Sequence, residues 1–284
     1  MTTWLITGAS SGLGRALAEA VLARGHNAVL TARDVAAVQP LVDEHPETSL
    51  AVALDVRDRD QVADAVRTAT DRFGAVDVLV NNAGHGFRAA VEEAAVDEVD
   101  ELFATNFFGP VELIKQVLPQ MRARRAGTIV NVSSIGAPRS NPASGYYTAT
   151  KAALEGVSDA LNREVGPLGI RVLVLEPGAF RTDFSGRSLM QSRTVIADYA
   201  DTAGRRRKEH DHSHGTQPGD PARAAHVIID TVEADEAPFR LLLGSDAVAI
   251  VREELQSRLD EIDAWARLST TTDYPTRPDG TRDR

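Results

Sequence analysis

The chain has 284 residues, 43% of them hydrophobic and 25% charged, so it can bury a substantial core without a disulfide or metal to hold it together. It has no cysteine, which excludes disulfides, cysteine-bound zinc, iron–sulfur clusters and thiol nucleophiles. A formal net charge of −10 argues against broad nucleic-acid binding, which needs clustered Lys and Arg.

Short apolar, β-branched runs alternate with longer helical stretches. Trp4–Thr7 reads as a first strand; it is too short for a signal peptide or membrane span, so a cytoplasmic protein is expected. It leads through glycines into a helix over Leu13–Arg24. A strand over Ala28–Ala32 precedes a helix over Val35–Glu44, and a strand over Leu50–Val56 precedes one over Arg59–Phe73. Val76–Val80 closes on Asn81-Asn82-Ala83-Gly84 and is followed by a long helix over Asp97–Arg124. Thr128–Val132 leads into Ser133 and Ser134, then a helix over Gly145–Val165. The strands Ile170–Leu175 and Phe239–Leu243 flank a helix over Pro221–Ala234, and an amphipathic helix over Asp246–Leu268 follows. Alternating elements with unbroken apolar strands predict an α/β fold: a doubly wound, Rossmann-type parallel sheet with helices on both faces.

Thr7-Gly8-Ala9-Ser10-Ser11-Gly12-Leu13-Gly14 joins a strand to a helix. Alone, three glycines could be only a tight turn. In this setting they let the backbone approach a pyrophosphate, with the helix N-terminus aimed at it. Ala32 stands where an acid that binds the NAD ribose would be. Arg33 can fork onto the 2′-phosphate of NADP; the alternative is a solvated Arg33 paired with Asp34. NADP (NADPH) is therefore expected in preference to NAD.

Tyr147 and Lys151 are spaced i and i+4, which puts them on one helix face. A free phenol has a pKa near ~10, and a nearby ammonium lowers it. A hydroxyl at Ser133–Ser134 can donate to a substrate carbonyl. For Asn106, a structural hydrogen bond and a catalytic part stand as equals.

In order and spacing, Thr7–Gly14, Asn81–Gly84, Ser134, Tyr147–Lys151 and Pro177–Thr182 resemble the short-chain dehydrogenase/reductase (SDR) family, from about Thr3 to Gly244. The resemblance implies about seven strands in the order 3-2-1-4-5-6-7. It makes Tyr147 the acid/base, with Lys151 lowering its pKa and holding the nicotinamide ribose. Ser134, rather than Ser133, positions the substrate oxygen, and Asn106 holds a water in a proton relay. Gly8, Ser10, Ser11, Gly12, Leu13 and Gly14 would cradle the pyrophosphate, and Arg33 the 2′-phosphate. Asp55 and Val56 would flank adenine, Asn82, Ala83 and Gly84 would line the adenosine side, and Pro177, Gly178 and Thr182 would meet the carboxamide. The stretch Glu176–Phe184 resembles the branch containing hydroxysteroid- and retinol-type dehydrogenases.

A single catalytic domain is expected over 1–268, with a substrate lid at about 183–220, an extra helix at about 246–268 and a flexible tail at 269–284. Phe180, Phe184, Leu189, Met190, Val195, Ile196 and Tyr199 suit a fairly hydrophobic substrate, or simply pack the lid. No metal is expected: His210, His212 and His214 read as a polar lid loop. The basic run Arg205–Lys208 is a solvated loop or an attractor of an anionic substrate or cofactor. The expected partners are a small-molecule substrate and a second copy of the chain. A homodimer would form through the two long helices, with a tetramer as the alternative. A dinucleotide sensor without turnover would be expected to lack part of the Ser/Tyr/Lys set.

Overall fold

The structure is a computed structural model that describes residues 1–182, 184, 186, 188–208 and 215–274. His210, His212 and His214 and the end of the tail lie outside the described residues. The seven expected strands appear as β1 (Thr3–Ile6), β2 (Asn27–Ala32), β3 (Ser49–Ala53), β4 (Val78–Asn81), β6 (Gly127–Val132), β7 (Ile170–Pro177) and β9 (Arg240–Leu243). They form one parallel sheet in the order β3-β2-β1-β4-β6-β7-β9, which is 3-2-1-4-5-6-7 when its strands are numbered alone.

Alternation along each strand feeds two cores. Trp4, Ile6, Leu30, Val80 and Leu173 face the side covered by α1 (Gly12–Ala23) and α7 (Pro221–Glu233). Leu5, Val29, Leu79, Ile129 and Val172 face α3 (Arg59–Phe73), α5 (Gly109–Arg124) and α6 (Gly145–Val165). With both faces covered, each strand reads as an unbroken apolar run. Helix starts follow local chemistry. Asp58 caps α3 by accepting from the Asp60 and Gln61 N–H groups at 3.0 and 3.1 Å. Asp220 does the same for α7, where Pro221 takes the first position.

Two expected helices are interrupted. Val35–Glu44 is a 3-10 turn over Val35–Ala37 and then α2 (Gln39–Glu44), because Pro40 suits only a first turn. Asp97–Arg124 is α4 (Val96–Phe103), a π-helical turn over Ala104–Phe108, then α5. Pro110 has no N–H to return to the Asn106 carbonyl four residues back, and Gly109 N–H bonds instead to Ala104, five back. The sequence reading also missed a small parallel pair, β5 (Gly86–Arg88) with β8 (Leu189–Gln191), which ties the segment after β7 to the segment after β4. The last helix, α8 (Ser245–Ser269), runs as expected.

Behind the strand ends, Arg240 of β9 lies 3.1 Å from Glu155 of α6 and 3.6 Å from Glu176 of β7. Burial, and then Glu155, push the Glu176 carboxyl up to about 7, against the pull of Arg240. Folding therefore favours its protonated form. That contribution is whole below the ordinary value of 4.5 and lost as pH rises through about 7. Between about pH 5 and about pH 8, wild type is expected to lose more thermal stability than Glu176→Gln, as read by circular dichroism melts.

Candidate active site

The glycine loop is built by its neighbours. Thr7 Oγ1 donates to the Val80 carbonyl at 3.1 Å and accepts from the N–H groups of Asn82 and Ala83, both at 2.9 Å. The Asn82 amide donates to the carbonyls of Thr7 and Gly8 at 2.8 and 3.2 Å, so this side chain braces the loop. A Cβ on Gly14 would lie 2.5 Å from the Gly8 carbonyl oxygen, and only glycine fits where α1 starts. Ser11, the N-cap of α1, makes no side-chain capping bond, and no acid stands in the first turn, which leaves the positive end of the helix toward the loop. Ser10 lies in the same loop, while Leu13 turns inward against the core.

Arg33 follows β2 and is exposed. The Asp34 carboxylate is taken by the Ala36 N–H at 3.0 Å, and Arg33 forms no ion pair with it. Asp55 is paired with Arg57 at 2.6 Å, and this bond holds the carboxyl below its ordinary range. Val56 is buried against Gly109.

Ser134 follows β6 and lies beside Gly136, whose N–H donates to Ser134 Oγ at 3.0 Å. Tyr147, in the first turn of α6, lies beside Ser134: a Cβ on Gly136 would meet Ser134 Oγ at 3.3 Å and the Tyr147 ring at 3.4 Å. Its neighbours in sequence are already engaged: Ser133 Oγ donates to Glu155 at 2.6 Å, and Tyr146 donates to the Val91 carbonyl at 3.0 Å. Lys151 Nζ donates to the Val132 carbonyl at 2.8 Å and stands 5.9 Å from the Tyr147 ring centre.

The electrostatics differ from the expectation of a depressed phenol. Burial pushes Tyr147 up, opposed by Ser134 and then by Arg88. Burial also lowers Lys151 to about 8, so the cation is itself weakened. Asn106 is fully buried, and both ends of its amide are occupied. Oδ1 accepts from the His85 N–H at 3.0 Å, and Nδ2 donates to the His85 carbonyl at 2.9 Å and to Thr150 at 3.3 Å. The side chain therefore clamps the post-β4 segment to α6, the structural role that the sequence left open beside a catalytic one. Gly84 lies against Asn106 and Lys151.

Pro177–Thr182 leaves β7 and places Thr182 against Gly12. Its anchor escaped the sequence reading. Asp246, at the start of α8, accepts the Ala179 N–H at 2.7 Å, and a Cβ on Gly178 would fall 2.3 Å from Asp246 Oδ1. No local signal marks this contact, because it spans 67 residues. Phe184, in the segment after β7, stands 6.0 Å from the Tyr147 ring, between centres. No group of His, Asp and Glu among the described residues is arranged to hold a metal ion. No helix among the described residues is long and apolar enough to cross a membrane.

This arrangement is that of a dinucleotide-dependent oxidoreductase, and comparison with known proteins agrees. The chain belongs to the short-chain dehydrogenase family, whose model, described as short chain dehydrogenase, matches residues 2–192. Oxidoreductase BOA17 of Botryotinia fuckeliana (strain B05.10) is 39% identical over 269 residues, covering 94% of this chain and 97% of that protein. A 3-ketodihydrosphingosine reductase of Bacteroides thetaiotaomicron is 38% identical over 247 residues, 84% of this chain and 87% of the relative. Among solved structures, a short-chain dehydrogenase from Streptomyces avermitilis superposes with a TM-score of 0.90 at 42% identity, covering 96% of this chain and 100% of that one.

Tyr147→Phe is expected to keep dinucleotide binding and to lower kcat about 10²–10⁴-fold, the usual worth of a placed acid/base. Ser134→Ala should lower kcat about 10²-fold, whereas Ser133→Ala, whose hydroxyl serves Glu155, should stay within about threefold of wild type. Steady-state kinetics with a fluorescence titration of the dinucleotide check both expectations.

Proposed function

We propose that this SDR oxidoreductase uses NADP and moves a hydride to or from a carbonyl or secondary alcohol carbon on a fairly hydrophobic substrate. The observation that carries the reaction is Tyr147 beside Ser134 at Gly136, with Lys151 on the same side of α6. The glycine loop and the uncapped start of α1 suit a pyrophosphate. Arg33 supports NADP: it is exposed at the end of β2 and Asp34 does not neutralise it. Pro177, Gly178 and Thr182 would meet the carboxamide end.

When bound, the nicotinamide supplies or accepts the hydride. In reduction, Tyr147 gives its phenolic proton to the carbonyl oxygen, and in oxidation it takes that proton back. A phenol held above its ordinary pKa stays protonated, which suits the acid role. Ser134 donates a hydrogen bond to the oxygen and stabilises the charge that develops there. Lys151, near 8, can exchange a proton close to neutral pH. Phe184 beside Tyr147, with Leu189 packed on Gly86, gives the cleft an apolar wall. In the same reading the enzyme is a homodimer through α5 and α6, and the exposed Phe108 at the start of α5 supports that contact.

Titration with NADPH and NADH, followed by absorbance at 340 nm with aldehydes, ketones and alcohols, tests this function. NADPH is expected to bind more tightly than NADH, and Arg33→Ala should cut the NADPH preference about tenfold or more. Preference for NADH, or an unchanged ratio in Arg33→Ala, would overturn the NADP assignment.

A further inference from the structure

Two buried arginines stand beside the lid, and the fold treats them differently. Arg207 and Arg88 are each 9% exposed. Arg207 meets the buried carboxylate of Glu93 and, at 3.0 Å, the Ser192 hydroxyl. Among the described residues, the side chain of Arg88, the last residue of β5, makes one hydrogen bond, from Nη1 to Ser144 Oγ at 2.6 Å. Its Nε is buried without a partner, and no carboxylate pairs with it among the described residues. A buried guanidinium with no counter-charge is costly unless an anion completes it.

The position makes that anion a ligand. Arg88 acts on the Tyr147 phenol, drawing its pKa down, so the guanidinium lies within electrostatic reach of the acid/base. In register it sits opposite Gln191 of β8, the strand that carries Leu189 and Met190 of the lid. Phe184, beside Tyr147, lies against Gly86 of the same β5. Arg88 therefore joins the start of α6, three residues before Tyr147, to the strand β8. Burial, and then Arg206, push its guanidinium down to about 10, which leaves it charged at neutral pH. With Nη1 on Ser144, the Nε–Nη2 edge remains, and its two parallel N–H groups match the two oxygens of a carboxylate.

We propose that Arg88 binds a carboxylate of the substrate, so that the enzyme interconverts an oxo acid and the corresponding hydroxy acid, with an apolar segment between the two ends against Phe184 and Leu189. This rests on Tyr147 serving the carbonyl end, as argued above.

The test is a series of straight-chain oxo carboxylic acids that varies the ketone-to-carboxylate spacing, each paired with its methyl ester, in wild type and Arg88→Gln. In wild type the best acid should exceed its ester about tenfold or more in kcat/KM, mainly through KM, and Arg88→Gln should bring that ratio to about one. Esters turned over as well as acids, or an acid-to-ester ratio unchanged in Arg88→Gln, would overturn the carboxylate site and leave the oxidoreductase reading standing. Calorimetric binding of the same acids to wild type decides the matter even if no member turns over or the variant fails to fold. Acids should bind about tenfold or more tighter than esters, and equal binding would overturn the proposal.

Discussion

Every strand of the large sheet runs the same way, and helices cover both of its faces. That constraint leaves one place for chemistry, the edge where the strands end. Thr7, Arg33, Asp55, Asn81–Gly84, Ser133–Ser134 and Pro177–Gly178 all stand just beyond a strand C-terminus or at it. Residues far apart in the chain share one cleft because the parallel register brings these ends level. β4 and β6 pair from Val78 with Thr128 to Asn81 with Asn131, so the loop after β4 and the serines after β6 emerge side by side.

Buried polar side chains hold these loops to one another. Asn81 donates to Asn131 at 2.8 Å, and Asn131 donates to Ser158 of α6 at 2.8 Å, which ties two strand ends to the helix that carries Tyr147. Asn106 adds a second tie through His85 and Thr150. Such bonds are worth more as geometry than as stability, because each satisfied group would be costly if left alone. The result is a phenol and an ammonium placed in a dry setting, where burial drives their pKa values apart, Tyr147 up from 10.0 and Lys151 down to about 8.

Charge around the cleft is arranged unevenly. The carboxylates near the reacting groups are committed to partners: Glu155 to Ser133 and Arg240, and Glu93 to Arg207. Among the described residues Arg88 and Arg33 form no ion pair; one is buried beside β8, and the other is exposed beside the glycine loop, where its charge lowers the Asp55 pKa. An otherwise acidic protein of net charge −10 thus keeps local positive potential where anionic groups would approach.

Strand runs, the glycine loop and the Tyr147–Lys151 spacing were legible in the sequence because each depends on near neighbours: alternation along a strand, one turn of a helix, a loop between two elements. The strand order came from the family resemblance, and the structure has it. What could not be read needed partners distant along the chain. The π-turn at Ala104–Phe108 arises where Pro110 breaks the hydrogen-bond ladder and Asn106 finds His85, 21 residues away. The β5–β8 pair, the Asp246 anchor on Ala179 and the lone charge of Arg88 likewise depend on segments brought together only by folding. The sequence by itself determined which residue types stand at the strand ends and on the face of α6, since residue type and short-range spacing set that. Tertiary structure alone decided which partners they meet. Ser133 meets Glu155, Tyr146 meets the Val91 carbonyl and the Asn106 amide meets His85, and those are properties of packing rather than of sequence distance.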